Sequence, residues 1–160
     1  MNVRKLKEMV CNLWRLFEQE EEENMVYNIK WKDMKGRSNL DIEASLWDLL
    51  TRIDNYCGNK LYVHRLTDKT TRKTSQHYIG KAADVHIDGL HVLDQYVLAE
   101  RFDVKGLGVY PKDVWTYTPG LHIDVRTTDI GKRWGYKGDN GSRIMVALGR
   151  DFFEHVLNLD

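Results

Sequence analysis

An imidazole, a carboxylate and a second imidazole stand at His77, Asp84 and His122 of this 160-residue chain. Two histidines and a carboxylate form a ligand set that leaves a fourth tetrahedral position for water, the arrangement of a catalytic zinc ion rather than a structural one. His77 and Asp84 belong to the run Ser75-Gln76-His77-Tyr78-Ile79-Gly80-Lys81-Ala82-Ala83-Asp84, and His122 to Gly120-Leu121-His122-Ile123-Asp124-Val125-Arg126. The expectation is one Zn2+ per chain, bonded at roughly 2.0–2.2 Å. Taken singly, a histidine in a strand is more often a satisfied core or surface residue, and His64, His91 and His155 are read that way. Several residue types held at fixed spacing are what lift His77, Asp84 and His122 above that background.

The elements that must carry these side chains are short strands. Leu61–Arg65, Ala82–Ile87 and Gly120–Arg126 alternate as strands do, and Val114–Tyr117 is a further candidate pairing beside the last. Side chains alternate across a strand, so His122, Asp124 and Arg126 share one face, as do Ala82, Asp84 and His86. His77 precedes the second strand by a segment made tight by Gly80, which lets its ring curl back to Asp84. If the strands of Asp84 and His122 are neighbours, the three ligands meet.

Around the ion, Asp124 has more than one reading. It is the general base that takes a proton from water, or it is a carboxylate that orients a ligand histidine, or a partner of Arg126. His86 is the other proton-transfer candidate. Arg65 is placed to stabilise a developing oxyanion, or is simply a surface charge. Tyr110 and Pro111, after Gly106-Leu107-Gly108, read as a turn near the cleft, with Trp115, Tyr117 and Trp134 as core packing or as walls. Ser75, Tyr110 and Trp115 are the candidate substrate-binding residues, Ser75 mainly by hydrogen-bonding its own loop.

The rest of the chain is scaffold. Val3, Leu6, Met9, Val10, Leu13, Leu16 and Phe17 place an apolar stripe on a helical segment over about residues 1–25, packed on the domain or used for dimerisation. The glutamates at 18 and 20–23 read as a solvated helix end. Tyr27–Trp31 alternates like a short strand, and a second helix follows Asp41 with Ile42, Leu46, Leu49, Leu50 and Ile53 on its buried side and Gly58 just beyond its end. A third helix spans roughly 90–102 and a last one roughly 149–157. Helices bracket the strands rather than alternating with them, so the fold class is α+β: a single domain with a mostly antiparallel central sheet flanked by helices.

Composition narrows the partners. Acidic and basic residues balance at 24 each, so no global field recruits nucleic acid or an anionic membrane. Cys11 and Cys57 are too few for a disulfide scaffold and read as buried or partly buried free thiols. There is no apolar run long enough to span a bilayer and no evident secretory signal, so synthesis in the cytoplasm is expected. The oligomeric expectation is a monomer.

Ser75, His77, Gly80, Ala82 and Asp84, then Gly108-Val109-Tyr110-Pro111, His122-Ile123-Asp124-Val125-Arg126 and Arg133-Trp134, resemble the M15 family of zinc peptidases, in its branch with a His-x-Asp second motif. That group includes D-alanyl-D-alanine carboxypeptidases, murein endopeptidases and phage endolysins, and shares its fold with the hedgehog signalling domain. The resemblance spans about residues 60–136. It implies a hedgehog-like fold, zinc on His77, Asp84 and His122, hydrolysis of peptidoglycan stem peptides, and action at the bacterial cell wall as a phage or prophage lysin. This chain departs from the pattern at three places. Pro119 stands where many relatives carry a carboxylate base, Gly120 where some carry a histidine, and of a Ser-Gly-Tyr-Arg segment only Arg65 is matched.

Overall fold

A computed structural model describes residues 30–31, 42–69, 71–115, 118–139 and 142–159. The N-terminal stripe, the glutamate run, Cys11, Asp41 and Tyr117 lie outside the described residues. Among the described residues seven strands form one open sheet: β1 (Lys30–Trp31), β2 (Leu61–Arg65), β3 (Ala82–Ile87), β4 (Gly106–Tyr110), β5 (Gly120–Asp124), β6 (Lys132–Asp139) and β7 (Ser142–Val146). Their spatial order is β1-β2-β3-β5-β4-β6-β7, parallel at β1–β2 and β4–β6 and antiparallel elsewhere. The described helices are α1 (Ala44–Tyr56), α2 (Val92–Ala99) and α3 (Arg150–Leu157). The class is therefore α+β with a mostly antiparallel open sheet, as the patterning led one to expect.

One face of the sheet is aliphatic. Leu61, Val63, Ala83, Val85, Ile87, Leu107, Val109, Leu121 and Ile123 are all buried on it. They join Leu46, Leu49, Leu50 and Ile53 of α1, and Phe152 and Val156 of α3, in one core. The period-two alternation of the strands and the three- and four-residue steps of α1 are thus two halves of the same surface. Gly58 ends α1 with φ 71°, a left-handed conformation that costs glycine little. Gln95 then ties α2 to the sheet: its Oε1 accepts from Ile87 N at 3.0 Å, and its Nε2 donates to Leu90 O at 2.9 Å and Pro119 O at 3.3 Å. That clamp locates the start of β5 against the end of β3.

Three expectations are corrected. The turn expected at Tyr110 and Pro111 begins only at Pro111, because Tyr110 ends β4, which runs from Gly106 and is buried along its whole length next to the central strand. Its glycines suit a strand that other side chains must lie across. At Gly108 an added Cβ would fall 2.5 Å from Trp134 Cε2, so a larger residue has no room. Val114 is not in a strand either: Val114 N and Trp115 N both donate to Pro111 O, at 3.0 and 2.9 Å, which closes a turn. β5 ends at Asp124 rather than Arg126. Among the described residues no helix is long and apolar enough to cross a membrane.

Candidate metal centre

The other face of the sheet is organised in rows that run across the strands. Registry makes Asp84 of β3 the partner of His122 of β5, His122 the partner of Gly108 of β4, and Gly108 the partner of Trp134 of β6. At the β2 end of this row stands Arg65, paired with Asp84 across an irregularity in β2. Two residues along the strands lies a row of rings. Tyr62 stacks on His86 at 4.9 Å, and Trp115 lies against His64 at 5.2 Å and Tyr110 at 4.6 Å. Tyr110 in turn stacks on Tyr136 at 4.9 Å. Gly120, between His86 and Tyr110, is the gap that Trp115 fills.

His77 arrives from the loop between β2 and β3. Its carbonyl accepts from Asp68 N at 3.1 Å and Gly80 N at 3.3 Å, and Gly80 takes φ 75°. The loop therefore doubles back on itself, as the spacing from His77 to Asp84 requires. The ring is buried, with Nδ1 2.7 Å from Leu66 O. A carbonyl only accepts, so Nδ1 carries the hydrogen and Nε2 presents a lone pair. His122 is fixed in the opposite sense. Its Nε2 lies 3.0 Å from Asp124 Oδ2, which places a hydrogen on Nε2 and directs the Nδ1 lone pair inward.

Three acceptors then converge. His77 Nε2 is 3.1 Å from Asp84 Oδ1 and 3.2 Å from His122 Nδ1, and His122 Nδ1 is 3.1 Å from Asp84 Oδ1. All three residues are buried. Lone pairs this close repel unless a cation sits among them. A tetrahedral ion with bonds of about 2.0 Å sets its ligands about 3.3 Å apart, so the triangle has the dimensions of one face of such a site. A buried His-Asp-His group that could hold a metal ion is therefore present, and two imidazoles with a carboxylate are a donor set compatible with zinc among other divalent ions.

The electrostatics agree. Burial works to raise the Asp84 carboxyl, but the two imidazoles packed against it outweigh burial and hold it far below the usual carboxylate range. Burial likewise opposes a charged His122, yet hydrogen bonds to Asp124 and Asp84 raise its pKa. Asp124, with no exposed surface, is burdened by burial but is kept ionised by Arg126 and His122. Arg126 Nε donates to Asp124 Oδ1 at 2.8 Å, Arg126 N to the same oxygen at 3.2 Å, and the guanidinium also grips Oδ2.

Each expected site residue now has a place. His77, Asp84 and His122 come together. Asp124 sits behind His122, on the ring nitrogen that faces away from the triangle, which is the orienting position rather than that of a base. Arg65 is next to the triangle, its Nη1 3.8 Å from Asp84 Oδ2 and its Nε 2.9 Å from Asp68. His86 belongs to the ring row, its Nδ1 2.6 Å from His64 Nε2, so His64 is less remote than its sequence position implied. Tyr110 and Trp115 are members of that row as well. Ser75 lies in the His77 loop, where its backbone closes turns with Arg72 and Tyr78. His91 caps α2 through Leu93 N, and His155 pairs with Asp113 at 2.8 Å. Cys57 is a partly buried free thiol.

No family model, curated protein or solved structure matches the chain. Sequence reasoning missed the Leu66 carbonyl, because a backbone acceptor leaves no residue-type signal. It also gave Trp134 too small a part. The indole is buried over Gly108, 5.1 Å from the His122 ring, and its N–H has no hydrogen-bond partner among the described residues. Leaving such a donor unpaired costs about 1–3 kcal/mol.

Proposed function

We propose that this chain is a zinc-dependent peptidase that hydrolyses peptide bonds in the stem peptides of peptidoglycan, as an endopeptidase or a D,D-carboxypeptidase. What carries the reading is the convergence of two fixed imidazole lone pairs and a carboxylate oxygen at 3.1–3.2 Å from one another. Two imidazoles and a carboxylate suit zinc, with Mn2+ or Fe2+ also compatible with the donor set. A zinc ion held there supplies Lewis acidity, lowering the pKa of water toward 7 and polarising a carbonyl.

The chain's own groups would do the rest. Asp124 and Arg126 hold the His122 ring in one tautomer and one orientation. Arg65, beside Asp84 and partly exposed, is the cation nearest to where an oxyanion would develop. His86, one same-face step along β3 from Asp84 and hydrogen-bonded to His64, is the proton-transfer candidate. The ring row from Tyr62 to Tyr136 would wall one side of the substrate. The substrate class comes from the resemblance of the two histidine motifs to the M15 peptidases, and with it come the hedgehog-like fold and a phage or prophage lysin acting at the cell wall.

A second reading has one observation in its favour. Pro119 stands where many relatives carry a carboxylate base, and Asp124 faces the back of His122. A zinc-stabilised module that holds a wall peptide without cutting it fits both facts. Incubating the purified chain with cell walls, with and without chelator, separates the two readings. New peptide termini found by mass spectrometry only in the metal-loaded sample support the peptidase; binding of wall fragments with stoichiometric zinc and no new termini replaces it with the module.

A further inference from the structure

The unpartnered Trp134 N–H is held where it is by its surroundings. The indole edge that carries Nε1 lies over Gly108, where a Cβ would fall 2.7 Å from that nitrogen. The Arg126 guanidinium carbon and Lys132 Nζ lie 5.4 and 6.0 Å from the indole ring, and His122 packs against it. An indole nitrogen is a donor only and has no second protonation state with which to adapt. Buried donors in folded proteins nearly always have acceptors, and one left open on a ring 5.1 Å from that of His122 is best understood as reserved for a ligand. Arg126 and Arg65 are already paired with Asp124, Asp68 and Asp84, so Lys132, 6.0 Å from the ring, and the cation the triangle would hold are what favour an oxygen bearing negative or strongly polarised charge.

We propose that the Trp134 indole N–H donates a hydrogen bond to an oxygen of the ligand bound beside His122, a carboxylate or a peptide carbonyl. The proposal rests on the metal-site reading, but not on cleavage of any bond. Trp134 is then a ligand-binding residue, and Gly108 is glycine so that the indole can lie across the strand to reach that ligand. The inference also explains why a strand at the centre of the sheet tolerates a residue with poor strand propensity.

The test uses the full chain, labelled with 15N at its tryptophans and loaded with zinc. The Trp134 indole resonance is assigned by its loss in Trp134→Phe. Acetate and N-acetyl-D-alanine are titrated as carboxylate probes, and N-acetyl-D-alanine amide as a carbonyl probe. The expected result is a downfield shift of the Trp134 indole proton on adding one class of probe, absent in chelator-treated protein. Trp134→Phe should bind the effective probe about tenfold more weakly with zinc affinity unchanged. The proposal is overturned if a probe binds in calorimetry while the Trp134 resonance stays fixed, or if neither class of probe binds to the zinc-loaded chain. Should Trp134→Phe fail to fold, the wild-type resonance is assigned instead from nuclear Overhauser contacts to His122, and its shift or constancy decides in the same way. A chain that takes up no zinc fails before any probe is added, and that outcome sinks the metal site itself.

Discussion

Leu121 and His122 are neighbours on one strand, both buried, and different physics holds each. Leu121 faces the helices among aliphatic side chains, where stability follows from area removed from water and no single contact sets the geometry. His122 faces the opposite layer, where each nitrogen has an assigned partner and the ring can sit in only one way. The aliphatic face makes the sheet stable, whereas the polar face uses that rigidity to hold three acceptors closer together than they would stay unaided. A buried, partly repulsive cluster persists only if the surroundings over-determine it.

The two faces should therefore fail differently. The largest effect is expected from Asp84→Ala or His122→Ala, each of which removes one corner of the triangle. Zinc content measured by elemental analysis should fall from one per chain to near zero while circular dichroism of the fold persists; retained stoichiometric zinc would break the distinction between the faces. Next comes Leu121→Ala, which leaves a cavity against the helices. It should lower stability by about 2–5 kcal/mol in urea unfolding, with zinc per folded chain unaltered. Asp124→Asn is smaller still and sharpens the comparison. It keeps the shape but weakens the anchor behind His122, so zinc affinity should drop about 10- to 100-fold in competition with a chelator, and a variant that binds zinc as tightly as the parent would deny Asp124 its orienting role.

The same contrast decides what could be read from the sequence. Alternation revealed β2, β3 and β5 because their aliphatic sides repeat at period two, and it thereby placed Asp84 and His122 on matching faces of their strands without showing that the strands are neighbours. It could not reveal β4. Gly106-Leu107-Gly108 has the composition of a turn, and the reason for its glycines, the side chains of Trp134, Asp124 and Arg126 lying across them, comes from other strands. β6 and β7 were hidden too: Lys132–Asp139 and Ser142–Val146 mix charged and apolar residues with little net burial. His77, Asp84 and His122 were legible because metal ligands need specific residue types. The roles of Asp124 and Trp134 were not, since those depend on which side of His122 each approaches, a fact of packing rather than of type.

The smallest effect concerns pH, and it runs in opposite directions with and without metal. In chelator-stripped protein a proton on His122 is opposed by burial but held by hydrogen bonds to Asp124, behind the ring, and to Asp84, within the triangle, so its folded pKa lies above the ordinary value of 6.5. A raised pKa stabilises the folded chain fully below the unfolded value and loses that contribution as pH climbs through the folded one, at up to about 1.4 kcal/mol per pH unit. Asp84 and Asp124, both depressed from 3.8, contribute above that value and lose their share only as pH falls through their lower folded values. Stripped protein should thus melt at a lower temperature as pH rises above about 6.5. Zinc uptake demands that His122 release its proton, so affinity should rise across the same window and the loaded protein should not share the decline. Parallel melting curves for stripped and loaded protein at every pH from about 6 to 9 would mean that no cation, proton or metal, is needed to hold the triangle, and the lone-pair argument for a metal centre would fall with it.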